Sequence, residues 1–233
     1  MEFESWQAFY KSDFQGFAAL IVVPALFLAY LLASKRSRTA ADASPEARFL
    51  HVYCLVFCLE TLADPFFTGP LIQWLELGSR ASTAIMIPFV LLGDFRVFFL
   101  VFFLTRAGGE FGPVVGKSAL WTLLVPAFAV SANAGLSQWH PDASGQRLWL
   151  IYEASFLALA LFLRSRVASR SLRRILVYVA VYYGLWATSD VLILYAGLDA
   201  GWLLRVLPNQ LYYSFWIPMV YATLVAKDDL RDR

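Results

Sequence analysis

Histidine and cysteine are scarce in this chain, two of each, and that scarcity removes most metal and redox chemistry at the outset. His51 falls near one end of an apolar run and His140 in a loop at the opposite face, so the two cannot share one metal. Haem with two histidine ligands, and histidine-rich membrane hydrolase or desaturase chemistry, are therefore excluded. Cys54 and Cys58 stand four apart within one apolar run, which puts them on one helix face. They lack the C-x-x-C spacing at a helix N-terminus that stabilises a redox thiolate, and read as small buried apolar side chains. The motifs HExxH and GxSxG and a paired C-x-x-C zinc site are also missing. Gly112-Pro-Val-Val-Gly116-Lys117-Ser118 has three residues between its glycines where a phosphate-binding loop requires four, and no strand precedes it. It reads as a turn. No cofactor is expected, and on the metal side only a carboxylate-only site for Mg²⁺, Ca²⁺ or Mn²⁺ stays open.

Charge is scarce too. Charged residues make up 15% of the 233 and hydrophobic residues 60%, against about 25% and about 45–50% in a soluble domain. The apolar residues run in blocks, and many of the 20 Phe and 8 Trp stand near block ends, where aromatic rings settle at a lipid interface. A membrane span needs ~20 residues to cross a ~30 Å hydrocarbon core. Seven stretches qualify: Phe14–Ala33, Phe49–Phe67, Ala84–Leu104, Ser118–Leu136, Leu148–Leu163, Leu172–Ala196 and Val206–Ala226. Short connections leave no room for a soluble appendage, so the expectation is a single all-α domain, a bundle of seven transmembrane helices over residues 1–233. Between the second and third runs, Thr68–Ser82 is apolar enough for a short interfacial helix. The leader carries Glu2, Glu4 and Asp13 against Lys11, the reverse of a cleaved signal peptide, so the first run is expected to be retained.

Lys and Arg sort by loop. Lys35, Arg36, Arg38, Arg48, Arg106, Lys117, Arg164, Arg166, Arg170, Arg173, Arg174, Lys227, Arg231 and Arg233 fall on one side, and Lys11, Arg80, Arg147 and Arg205 on the other. The excess marks the cytoplasmic side. The N-terminus is then outside, the C-terminus cytoplasmic, and the protein a multi-pass resident of the plasma (inner) membrane. The net charge of +2 is a topology signal and not a nucleic-acid footprint. The arginines of the third cytoplasmic loop orient the chain and meet anionic headgroups.

Within the spans stand Glu60, Asp64, Asp94, Arg96, Glu153 and Asp190. Each costs ~2.5–3.5 kcal/mol on insertion scales unless it has a partner, a water cavity or a task. Nearly all lie in the outer half at ~1.5 Å rise per residue, and Asn209 and Gln210 enter at similar depth after Pro208. A shared depth on five helices points to a polar cavity open to the outside. Glu60 and Asp64, four apart, share a helix face, while Asp94 and Arg96, two apart, do not. Arg96 is therefore expected to pair with a carboxylate on a neighbouring span. Gly93 permits close helix approach, and Pro65, Pro88 and Pro208 can free backbone carbonyls near the site.

Seven spans with an outer N-terminus resemble the layout of microbial rhodopsins, but no span has a lysine at its middle to carry retinal. The layout is also similar to that of sugar-transporting seven-helix proteins built from two three-helix repeats. Leu59–Asp64 with Gly69 faintly matches Leu185–Asp190 with Gly197, yet the Pro-Gln dipeptide of that superfamily is absent. Four readings fit the pattern. A small-solute or cation/proton-coupled transporter would use Glu60, Asp64, Asp94, Arg96, Glu153, Asp190 and Asn209 to bind a small molecule or ion. An intramembrane enzyme acting on a lipid or isoprenoid would use Glu60 and Asp64 as acid and base, with Arg96 on an anionic headgroup. A ligand-sensing receptor subunit would bind its ligand in the same cavity, and a scaffold would use the charges only to lock helices together.

Overall fold

The computed structural model describes residues 4–34, 44–106, 111–138 and 145–225. Glu2, Lys35, Arg36, Arg38, His140, Lys227, Arg231 and Arg233 lie outside the described residues. Every regular element among the described residues is helical. In chain order these are α1 (Trp6–Tyr10), α2 (Phe14–Ala33, its first turn π-wound), α3 (Pro45–Thr68), α4 (Pro70–Trp74), α5 (Ser79–Thr105), α6 (Phe111–Ser137), α7 (Gly145–Arg166), α8 (Arg170–Leu194), α9 (Ala200–Asn209) and α10 (Trp216–Val220). Among the described residues, six helices are long and apolar enough to cross a membrane: α2, α3 with α4, α5, α6, α7 and α8.

Local chemistry sets the boundaries. Ser44 caps α3 by accepting from the Ala47 N–H at 3.2 Å, and Pro45 fills the first position, where a missing N–H costs nothing. Ser169 caps α8 through the Leu172 N–H at 3.4 Å. Arg164 and Arg166 occupy the last turn of α7, where cations offset the helix dipole. Expected and observed spans agree to within a few residues, except that α5 and α6 begin earlier. Gly112–Ser118, read as a turn, instead forms the first two turns of α6, with Pro113 tolerated as its third residue. Part of the predicted interfacial segment is helical, as α4. The seventh apolar run is divided. After α9, with Pro208 near its end, the backbone is π-wound over Gln210–Ser214, breaks at Phe215, and resumes as α10 and a second π turn, Tyr221–Val225. The Phe215 N–H reaches the Gln210 carbonyl at 3.0 Å, the i→i+5 bond of a π turn.

The chain forms two compact units, one of Met1–Ser12 and Val97–Asn209, the other of Asp13–Arg96 and Gln210–Arg233. In the first, α6, α7 and α8 pack in sequence, α9 returns along α8, and α1 lies on α9. Its core is aromatic, with Phe156 stacked on Tyr183 at 4.7 Å between centroids. In the second, α2 packs on α3 and on the π turn that follows Asn209, and α3 meets α10. Cys54 and Cys58 are buried there and unbonded to each other, and the Cys58 thiol donates to the Pro24 carbonyl at 3.2 Å.

The burial pattern is the reverse of a soluble protein's. Leu26, Leu32, Leu120, Phe128 and Trp74 are more than half exposed, while five carboxylates and two arginines are buried. Apolar surface of this extent stays in place only against lipid. The protein is a multi-pass membrane protein.

Candidate functional site

All seven residues singled out in the sequence are buried: Glu60, Asp64, Asp94, Arg96, Glu153, Asp190 and Asn209. The two units divide them. Glu60, Asp64, Asp94 and Arg96 belong to one, and Glu153, Asp190 and Asn209 to the other.

In the unit built on α2 and α3, Arg96 is completely buried. As its spacing from Asp94 implies, it pairs with another helix: Nη1 donates to Glu60 Oε2 of α3 at 3.1 Å. Nη2 donates to the Tyr212 backbone carbonyl at 2.7 Å. The carbonyl engaged therefore lies in the π-wound turn that follows Pro208. The guanidinium also lies over the Tyr212 ring, 4.3 Å from its centroid, and 5.5 Å from that of Trp216. Tyr53 braces the arrangement, its hydroxyl donating to the Arg96 carbonyl at 3.0 Å and accepting from Trp216 Nε1 at 3.2 Å. One turn along α3 from Glu60, Asp64 accepts from the Thr68 hydroxyl at 3.2 Å. Asp94 is buried beside Gly93, and a Cβ at Gly93 would fall on the Tyr212 phenol. Only glycine lets that ring reach Arg96.

In the other unit the organising cation is Arg205, which the charge sorting treated as an outer-loop residue. That placement is corrected: Arg205 is buried on α9. Its Nη1 pairs with Asp190 Oδ1 of α8, its Nη2 with Glu153 Oε1 of α7 at 3.3 Å, and its Nε faces the Tyr10 hydroxyl at 3.4 Å. Gln146 Nε2 donates to the same Asp190 oxygen at 2.6 Å. Asn209, one turn beyond Arg205, accepts from Trp186 Nε1 at 2.9 Å and donates to the Tyr10 hydroxyl at 3.2 Å. Gly201 makes this possible. A Cβ there would press on the Ser189 carbonyl at 2.9 Å, so the bare backbone lets α9 close onto α8 and set Arg205 against Asp190. Glu153 Oε2 and Asp190 Oδ2 are buried without a hydrogen-bond partner among the described residues.

Sequence reasoning missed Arg205, Tyr10, Gln146 and the brace of Tyr53, Tyr212 and Trp216. One signal for Arg205 was available: it is four residues before Asn209, hence on the same helix face, and two carboxylates at similar depth lacked a counter-charge. With Arg205 counted, the buried charges are three carboxylates to one arginine in one unit and two to one in the other. Among the described residues no group of three or more His, Cys, Asp or Glu side chains is arranged to hold a metal ion. Comparison of the chain with protein families, curated proteins and solved structures gives no match.

Proposed function

We propose that the protein is a transporter that couples the movement of a small solute or cation to protons carried by its buried carboxylates. The observation that carries this reading is the surplus of buried acid over buried base among the described residues, five carboxylates against two arginines. A structural lock needs one partner per charge, and an unbalanced buried charge is unfavourable by several kcal/mol, on the order of the cost of breaking a buried pair. The surplus must then be met by protons or by a bound cation, both of which can exchange. Glu153 Oε2 and Asp190 Oδ2 support the same reading, since each is a buried oxygen with no hydrogen-bond partner among the described residues. The intramembrane-enzyme reading draws less support: Arg96, its headgroup ligand, is fully buried with both terminal nitrogens engaged.

The accompanying topology is seven spans, with the divided run through α9 and α10 as the seventh. The N-terminus is then outside, and the arginine-rich turn between α7 and α8 lies on the cytoplasmic side of the inner membrane. A broken last span suits a carrier, because irregular backbone is tolerated at membrane depth where it lines a polar site.

The test is flux. Purified protein in liposomes holding a pH-sensitive dye would be given inward gradients of Na⁺, K⁺, Mg²⁺ and small ammonium ions in turn. At least one gradient should move the internal pH faster with wild type than with Asp64→Asn or Glu153→Gln. If wild type matches protein-free liposomes for every cation while its melting curve shows it folded, the carrier reading fails.

A further inference from the structure

Five arginines stand within eleven residues, Arg164 to Arg174, on the last turn of α7 and the first turns of α8. Four of them, Arg164, Arg170, Arg173 and Arg174, line one cavity of about 380 Å³ together with Val177. Arg166 does not; its guanidinium lies over the Phe162 ring, 5.1 Å from the centroid. Among the described residues, none of the four lining arginines has a carboxylate within ion-pair distance. Four like charges around one hollow repel each other, and the described acids of these two helices, Glu153 and Asp190, pair with Arg205 instead. The charge of the hollow suits an anion, and guanidinium forks suit phosphate oxygens because two parallel N–H donors match two oxygens.

The apolar surroundings narrow the choice of anion. Arg170, Arg173, Arg174 and Val177 fall at i, i+3, i+4 and i+7 and share one face of α8. The same face continues to Val181, and both valines are exposed, at 40% and 47%. Leu161 and Phe162 of α7 are exposed as well. A basic hollow that runs into an exposed apolar stripe matches a molecule with a phosphate at one end and hydrocarbon at the other. We propose that this cavity is a discrete site for an anionic phospholipid, its phosphodiester held by the four arginines and an acyl chain laid along Val177 and Val181. The proposal stands on the membrane setting alone and not on the carrier reading, so failure of either leaves the other intact.

Native mass spectrometry of the intact protein, with phosphatidylglycerol and phosphatidylcholine of matched chains in competition, tests it. Wild type should retain phosphatidylglycerol preferentially, and the triple variant Arg170→Gln/Arg173→Gln/Arg174→Gln should lose that preference by about tenfold or more, since each near-surface arginine contributes a severalfold factor. Arg166→Gln should keep it. Equal losses in Arg166→Gln and Arg170→Gln would mean diffuse charge attraction with no site, and would overturn the proposal; that pair decides alone if the triple variant does not fold. No preference in wild type would overturn it too. Displacement of phosphatidylglycerol by inorganic phosphate at equal concentration would show a free-anion site in which the stripe plays no part, against the proposal.

Discussion

Arg96 is completely enclosed, held by one carboxylate, one backbone carbonyl and two aromatic rings. Arg205 keeps 10% of its side chain exposed and is shared among two carboxylates and a tyrosine hydroxyl, with amides of Gln146 and Asn209 beside them. The first arrangement is rigid: ring faces and a carbonyl cannot gain or lose protons, and the braces come from three stretches of chain. The second is made of groups that can trade partners, and it leaves two carboxylate oxygens open. On the proposed carrier reading, the buried charge of Arg96 would hold its helices in place while the cluster around Arg205 would be the one neutralised and released.

The contrast yields graded expectations. Arg96→Met should be the most damaging single change, because it strands Glu60 in a dry interior. A loss of about 3–5 kcal/mol is expected in thermal or denaturant melts in detergent, with much of it recovered in Arg96→Met/Glu60→Leu. Recovery would show a structural pair, and no recovery would mean that the carbonyl and ring contacts matter more than the ion pair. Arg205→Met should cost less, about 1–3 kcal/mol, since the site is partly open and its carboxylates can take up protons. If Arg205→Met proves the worse of the two, the rigid and exchangeable assignments are reversed. Gly93→Ala drives a methyl into the Tyr212 phenol. About 1–2 kcal/mol should be lost by overpacking, and Tyr212→Phe, by removing the hydroxyl, should return part of it. The smallest effect belongs to Trp186→Phe, which gives up one hydrogen bond to Asn209. About 1 kcal/mol in melting is expected, with Asn209 left free to turn toward the cluster.

Length and hydropathy were enough to find α2 to α8, because a span is a one-dimensional property of the chain. Charge inside an apolar run was legible for the same reason, and it picked out Glu60, Asp94, Glu153 and Asp190, all of them buried, as residues needing an explanation. Rotation about each helix axis was not legible. That Glu60 faces Arg96 while Glu153 and Asp190 face Arg205 depends on packing, which is governed by close approaches at Gly93 and Gly201. Arg205 was hidden by its position three residues before Pro208, where loop and span look alike in composition. Tyr10 comes from the five-residue helix α1, held to α9 by Asp199, which accepts from the Trp6 and Gln7 N–H groups; no periodicity in so short a segment announces it. The π-wound turn at Gln210–Ser214 carries no composition signature either, although Pro208 and Pro218 flank it.

The central claim is that the surplus carboxylates exchange protons or a cation. Infrared difference spectroscopy on protein films, stepped across about pH 4 to 9 and then between cation-free and cation-loaded buffer, observes those groups directly through the C=O stretch of a protonated carboxyl. Wild type should show carboxylic-acid bands that vanish as pH rises or a cation is added. At least one should be missing from Asp64→Asn, Glu153→Gln or Asp190→Asn, and none from Arg166→Gln. If wild type shows no carboxylic-acid band that responds to pH or to any cation, the buried acids are a fixed network, and the account of an exchanging site is contradicted.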